Sequence, residues 1–247
     1  MKKLVFLIVL SLMIGLVWGQ PWNYDFGTGE GIWNTSAAST SFLPTPGSGT
    51  SRVRVGNGGG SFNMENDGLD GLGTGTELRS VAPTGTSVNK FSIYDYTAAK
   101  VFYTKFDILL GSSTGGDASS GTFYFFQGDG ATYSDNNSFA GNQSFTGIQW
   151  VFGASGSVTT TYRNAKNWSA LGTTPFSQGS VYTVEIFGNN TTSSATYYRG
   201  SNSYTIAANK QDIWIDGTLI GDELAKAQLA NDSNIDSFLF YGASSTG

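Results

Sequence analysis

The residues best suited to bind a sugar lie within one short polar stretch of the chain. Trp168 and Tyr162 carry rings that could cover the apolar face of a sugar, and Arg163, Asn164 and Asn167 could bond its hydroxyls. Saccharide sites combine an exposed aromatic face with a few convergent polar groups. Trp168 has no obvious register in an apolar strand. We therefore expect it to be exposed and to contact a ligand.

A second group of this kind lies about thirty residues closer to the amino terminus. There Tyr133 is surrounded in the sequence by Asp129, Asp135, Asn136 and Asn137. Ca²⁺ takes six to eight oxygen ligands, and loops rich in Asp and Asn supply them. The spacing differs from that of an EF-hand, and Asp, Asn and Gly are also common in ordinary turns. Tyr133 is therefore a candidate ligand contact. The candidate calcium ligands are Asp129, Asp135, Asn136 and Asn137, and a plain turn is the alternative.

Most catalytic machineries are excluded by composition. The chain contains no His and no Cys, which removes Ser-His-Asp and Cys-His catalysis and the usual zinc ligands. Retaining glycosidases need two carboxyl groups about 5–5.5 Å apart. No two of the five glutamates lie on the same predicted strand. A glycan-degrading enzyme would therefore need carboxylates from separate strands. These glutamates are Glu30, Glu65, Glu77, Glu185 and Glu223.

The amino terminus has the three parts of a secretory signal peptide. Two lysines precede an apolar run, Leu4–Val17, and the small residue Gly19 offers a cleavage site. The run is short for a membrane span, which needs about 20 residues. We therefore expect a signal peptide over residues 1–19 and a secreted or cell-surface protein without membrane insertion. The rest, 20–247, is expected to form one domain.

The charge of the predicted mature chain argues against polyanionic partners of the nucleic-acid type. Removal of the first two lysines leaves 11 basic and 18 acidic residues, a net charge of −7. Arg52 and Arg54 are the densest basic pair in this mature chain. Because nucleic acids and anionic lipids need a clustered basic surface, neither is expected as a partner.

Short apolar stretches separated by Gly, Ser, Thr and Asn indicate an all-β protein. Apolar and polar residues alternate with period two in Lys100–Leu110, Val181–Phe187 and Ile235–Tyr241. Trp150, Trp214 and Phe123–Phe126 are expected in the core. Further strands are predicted at Arg52–Val55, Glu77–Val81, Lys90–Tyr94, Thr122–Phe126, Gly147–Phe152, Val158–Tyr162 and Ala195–Arg199.

The clearest local motif is a hairpin over Asp212–Ile220. Its Asp216-Gly217 pair suits both central positions of a type I′ turn. The next segment, Asp222–Ala230, predicts a short helix, because Asp222 is a good N-cap and Leu, Ala, Lys and Gln favour helix.

The carboxy-terminal third resembles concanavalin A-like and laminin G-like domains, which are jelly-roll sandwiches. The likeness is carried by Tyr182–Ile186, by the Asp212–Leu219 hairpin and by the late strand Ile235–Gly242. The whole mature chain resembles a β-sandwich module of secreted multidomain proteins in Bacteroidetes. This second resemblance is carried by the same three segments and by Phe26–Gly29, Ser87–Thr97 and Phe123–Gly130.

The resemblance implies an antiparallel two-sheet sandwich preceded by the signal peptide, and it implies no particular activity. Such domains continue past the late strand, so we expect a closing strand and further domains of the same polypeptide beyond Gly247. We expect a binding or adhesion module for a polysaccharide or glycoconjugate. The alternatives are a structural spacer of a cell-surface protein and a glycan-degrading enzyme.

Overall fold

The structure, a computed structural model, describes residues 23–33, 38–39, 43–56, 58–65, 72, 75–85, 87–111, 120–130, 133, 141–173 and 175–243. Nearly all of the regular structure in these residues is β-strand, and one 3₁₀ turn lies at Gly141–Gln143. The strands are numbered in chain order. The signal-peptide prediction falls on residues outside this description. None of the helices found in the described part of the chain is long and apolar enough to cross a membrane.

The largest sheet has eight strands in the order β11-β10-β9-β8-β17-β6-β3-β2, all antiparallel to their neighbours. In that order they span Asn167–Ala170, Val158–Asn164, Ser144–Phe152, Thr122–Gly128, Ser237–Ala243, Val88–Tyr94, Thr50–Arg54 and Ala38–Ser39.

Three smaller antiparallel sheets accompany it. A four-stranded sheet has the order β16 (Thr218–Ala225), β15 (Lys210–Ile215), β12 (Ser180–Asn189) and β7 (Val101–Leu110). A three-stranded sheet comprises β1 (Gly31–Trp33), β4 (Ser61–Glu65) and β5 (Glu77–Val81), and a hairpin comprises β13 (Ala195–Arg199) and β14 (Asn202–Ile206).

The main core lies between the eight-stranded and four-stranded sheets. Ile148 and Trp150 from the large sheet pack with Val184, Ile186 and Ile213 from the smaller one, and all five are fully buried. Alternation along each strand sends these side chains to one face. Full burial of one such side chain contributes about 1.5–3 kcal/mol. The all-β sandwich predicted from the sequence is therefore confirmed.

Two further clusters extend the layers. The three-stranded sheet covers the β3–β6 half of the large sheet through Phe62 and Met64, which pack with Val53 and Phe91. The β13–β14 hairpin covers the outer side of the four-stranded sheet, where Tyr197 packs in one cluster with Trp214 and Phe187.

The predicted Asp216-Gly217 hairpin is confirmed, and the predicted helix is wrong. Asp216 and Gly217 have φ values of 46° and 80°, and Ile215 pairs with Thr218 across the turn. Strand β16 then continues to Ala225, which pairs with Lys210. Helix propensity in Asp222–Ala230 is a weak preference, and pairing with β15 overrides it.

Candidate functional site

The hairpin β10–β11 brings Arg163 and Trp168 together on one face of the large sheet. The two residues are direct register partners, so their side chains point the same way. Tyr162 precedes Arg163 and points to the opposite face, where it is buried in the main core. The sequence grouped these three residues as one sugar site. The structure brings Arg163 and Trp168 together and turns Tyr162 inward.

Trp168 is half-buried and lies in a small aromatic cluster on the outer face of the large sheet. Its ring centroid is 5.7 Å from that of Tyr124 and 5.8 Å from that of Phe126. The guanidinium carbon of Arg163 lies 5.0 Å from the Trp168 centroid. A contact of this kind contributes about 0.5–2 kcal/mol, depending on its exposure to water.

A row of hydrogen-bonding side chains crosses the same face beside Trp168. Thr161 Oγ1 donates to Gln149 Oε1 at 2.8 Å, and Gln149 Nε2 donates to the Tyr124 hydroxyl at 3.1 Å. Tyr124 in turn contacts Tyr241 edge to face, with centroids 5.3 Å apart. All four side chains are half-buried. Together with Trp168 they form what we call the outer-face row.

The four side chains of the row other than Trp168 lie in line because they are register partners on four neighbouring strands. Thr161 pairs with Gln149, Gln149 with Tyr124, and Tyr124 with Tyr241. Sequence reasoning missed all four as site residues, and it assigned Tyr124 to the core with its neighbours. Alternation within Thr122–Phe126 separates Phe125, which is buried in the main core, from Tyr124 on the other face.

Asn164 and Asn167 form the end of the same hairpin. They are register partners, with Asn164 half-buried and Asn167 exposed. The turn between them is held from outside the hairpin, because the Ala165 backbone N–H donates to the Lys226 carbonyl oxygen at 3.0 Å. Both residues lie at the end of the hairpin next to the register pair that contains Trp168, and alternation turns their side chains to the opposite face.

Tyr133 lies against the outer face but is fully buried there. It packs with Phe126 and Leu239, and its carbonyl oxygen accepts a hydrogen bond from Ser92 Oγ at 2.7 Å. Burial raises the pKa of its phenol. Its ring therefore offers no face to a ligand at the surface.

The calcium candidates are only partly described. Asp129 is half-buried, and its backbone N–H donates to the Gln143 carbonyl at 2.9 Å. Asp135, Asn136 and Asn137 lie outside the described residues. Burial raises the pKa of Asp236, and the charges of Asp129 and Asp95 raise it further. In the ranges that the structure describes, no three His, Cys, Asp or Glu residues are grouped to hold a metal ion.

Two glutamates from separate strands do meet on the three-stranded sheet. Glu65 and Glu77 are register partners of β4 and β5. Directly opposed residues have Cβ atoms about 4.5–5.5 Å apart. Glu65 Oε1 forms a salt bridge with Arg79 Nη1 at 3.5 Å and accepts a bond from Asn63 Nδ2 at 3.1 Å. The two carboxylates thus come from separate strands, as the glycan-degrading alternative would need.

Comparison of the chain with known protein families and with curated proteins finds no match. The fold and the outer-face row are therefore the basis for any functional assignment.

Proposed function

We propose that this protein is an extracellular binding module whose ligand is a carbohydrate, held on the outer face of the eight-stranded sheet. One observation carries the proposal. A half-buried tryptophan lies beside a row of hydroxyl and amide groups on an extended sheet face. An aromatic ring covers the apolar face of a sugar, and fixed hydroxyl and amide groups select among its hydroxyls.

The preorganisation of the outer-face row supports this ligand class. Gln149 is held at both ends, by Thr161 and by Tyr124, so its orientation is set before a ligand arrives. A side chain already held in place loses little rotamer entropy on binding, which favours affinity. We further propose that the sandwich is of the concanavalin A-like or laminin G-like type found in secreted Bacteroidetes modules.

The proposal is tested by affinity electrophoresis of the purified protein through gels that contain single polysaccharides. Wild-type protein should be retarded by at least one polysaccharide, and Trp168→Ala should migrate as in an empty gel. Tyr198→Ala is the matched control, since Tyr198 is 69 % exposed on the β13–β14 hairpin, on another sheet.

Trp168 also packs on Phe126, so a second variant separates binding from folding. Gln149→Leu keeps the side-chain volume and removes the amide that bonds Thr161 and Tyr124. It should lose retardation and keep the wild-type far-ultraviolet circular dichroism. Full retardation of both folded variants would refute the site. Wild-type protein that no polysaccharide retards would favour the structural-spacer alternative.

A glycan-degrading enzyme is the second candidate, and the Glu65–Glu77 register pair favours it. Its carboxyl groups would serve as nucleophile and general acid in a retaining mechanism. Release of reducing ends from a retained polysaccharide, lost in Glu65→Gln and in Glu77→Gln, would support it. Hydrolysis that survives both substitutions would dismiss this pair.

Secretion is part of the proposed function. Lys2 and Lys3 followed by Leu4–Val17 support export, with cleavage after Gly19. Amino-terminal sequencing of protein recovered from the medium or cell surface should begin at Gln20. Recovery of the intact amino terminus inside the cell would contradict this assignment.

Calcium is proposed as a ligand of the loop that starts at Asp129. A ligand that binds only the folded state raises the melting temperature as its concentration rises. Added CaCl₂ should therefore raise the melting temperature of wild-type protein after treatment with a chelator, and it should raise that of Asp129→Asn less. An equal response of the two proteins would remove Asp129 from the site.

A further inference from the structure

The outer face has a charge opposite to that of the protein as a whole. The chain carries 13 Lys and Arg against 18 Asp and Glu, a net charge of −5. Alternation along β3 and β6 buries Val53 and Phe91 in the core below, so Arg52, Arg54 and Lys90 lie on the outer face. Lys90 is buried there, whereas the two arginines are half-buried. Arg163 adds a fourth cation on β10.

Carboxylates are missing from the described strands of this face. Asp129 and Asp236, which flank β8 and β17, act on the buried Tyr133 phenol at the end of the face. The strands β3, β6, β8, β9, β10, β11 and β17 contain no Asp or Glu at all within their bounds. Ion pairs elsewhere in the described chain use other cations, namely Arg79, Lys100 and Arg199. The face is therefore cationic on an acidic protein.

Arg163 is the best-placed of these cations. Its guanidinium is fixed over Trp168 at 5.0 Å, and its buried Nε has no hydrogen-bond partner within the described part of the chain. Burial lowers the pKa of the guanidinium, and the Tyr124 phenol opposes that shift. A charge that is partly desolvated and uncompensated is costly, and an anion bound beside it removes that cost.

Arg54 marks the other end of the outer-face row. Tyr241 pairs with Lys90, and Lys90 with Arg54, so Arg54 lies two strands beyond Tyr241. Its charge acts on the Tyr241 phenol, because Arg54 lowers the pKa that burial and Tyr124 raise. Arg163 and Arg54 are five strands apart, a span of about 24 Å at about 4.8 Å per strand.

We propose that the carbohydrate bound on this face is a uronate polysaccharide, whose carboxylates pair with Arg163 and Arg54 while its rings cover Trp168 and the tyrosines. This inference rests on the proposed function and names its ligand class. Guanidinium and carboxylate are both planar, and they form two parallel hydrogen bonds. Arg52 and Lys90 have other interactions, so ligand pairing is assigned to Arg163 and Arg54.

The spacing of the cations favours uronates over more densely charged chains. Heavily sulfated glycans and nucleic acids are held by clustered cations and release many counterions. Here the neutral side chains of Tyr124, Gln149 and Tyr241 separate Arg163 from the basic end of the face. A polymer with one carboxylate per sugar matches such a sparse arrangement.

The test uses one polymer in two charge states. De-esterified homogalacturonan and its fully methyl-esterified form share a backbone and differ in carboxylate charge. Isothermal titration with oligomers of each should show that wild-type protein binds the de-esterified form more tightly, and that added NaCl weakens this preference. Dextran sulfate and single-stranded DNA serve as polyanion controls, and both should bind more weakly than the de-esterified oligomers.

Two neutralising variants assign the preference to its residues. Arg163→Gln and Arg54→Gln should each weaken binding of the de-esterified form about tenfold, because each removes one charged hydrogen-bonding partner. Lys105→Gln is the matched control, since it changes net charge equally at an exposed position of β7, in the other sheet. It should bind like wild type.

Failure of this inference differs from failure of the proposed function. Binding of methyl-esterified or other neutral glycans without preference for the charged form would overturn the uronate assignment and leave carbohydrate binding intact. Tighter binding of dextran sulfate or DNA would overturn it in favour of non-selective polyanion binding. Absence of binding to every polysaccharide would overturn both.

Discussion

The guanidinium of Arg163 lies 5.0 Å from the ring of Trp168, and the two residues are direct register partners on β10 and β11. Register places them on one face, and the cation–π contact then fixes the guanidinium over the ring. The indole keeps its other contacts with Tyr124 and Phe126. A single pairing of neighbouring strands thus positions both the aromatic and the cationic part of the candidate site.

The Arg163–Trp168 contact should be measurable without any ligand. In a double-mutant cycle of Arg163→Met and Trp168→Leu, urea unfolding should give a coupling free energy of about 0.5–1 kcal/mol. The coupling arises because each single substitution removes the same contact. Strictly additive effects of the two substitutions would show that the contact contributes nothing to stability.

Tyr197 should be far more sensitive to loss of its hydroxyl than its neighbour. Its hydroxyl donates to Asp212 Oδ2 at 2.7 Å and accepts from Trp214 Nε1 at 3.1 Å. Tyr197→Phe leaves both buried partners without this hydrogen bond and should lower the free energy of unfolding by about 1–3 kcal/mol. Tyr198→Phe alters an exposed ring and should change it by less than about 0.5 kcal/mol. Equal effects would contradict this network.

Gly188 should tolerate no side chain. A Cβ added there would overlap the Phe102 ring and approach Phe145 Cε1 to 2.8 Å. Gly188→Ala therefore forces repacking of the main core and should cost about 1–3 kcal/mol by denaturant unfolding. Gly29→Ala is the control, because nothing lies within 4 Å of its added Cβ. A Gly188→Ala protein as stable as this control would show that the core yields easily.

Lys226 should make stability rise with pH in an alkaline window. Its ammonium donates to Asn190 Oδ1 at 2.8 Å and to the Leu229 carbonyl, and burial lowers its pKa to about 8. Between about pH 8 and the unfolded pKa near 10.4, the unfolded chain holds the proton that the folded chain has released. The unfolding free energy of wild type should therefore rise relative to Lys226→Met across this window.

The difference between the two proteins isolates this group. Tyrosines such as Tyr103, whose pKa is raised to about 12 by desolvation of its hydroxyl, titrate in both proteins, so their contributions cancel. Below pH 8 the difference should be constant, since Lys226 is protonated in both states. A constant difference up to pH 10 would show that the folded state does not depress the pKa of Lys226.

Strands with local alternation could be predicted from the sequence, and strands without it could not. Glu77–Val81 and Ala195–Arg199 are strands with the predicted bounds, because their own residues favour strand. Asn167–Ala170 and Asn202–Ile206 were not predicted, since Asn and Ser there resemble a loop and only hairpin pairing makes them strands. The helix prediction over Asp222–Ala230 was wrong for the opposite reason, because sheet pairing outweighs the helical preference of these residues.

Residue types and alternation alone therefore determined an all-β sandwich, its Asp216-Gly217 hairpin and the presence of an aromatic and polar group near Trp168. Tertiary structure decided which members of that group share a face. Tyr162 points into the core, Tyr133 is buried against Phe126 and Leu239, and Tyr124 and Gln149 lie on the same face as Trp168 from neighbouring strands. Those outcomes depend on register between segments far apart in the chain, and no local pattern encodes that pairing.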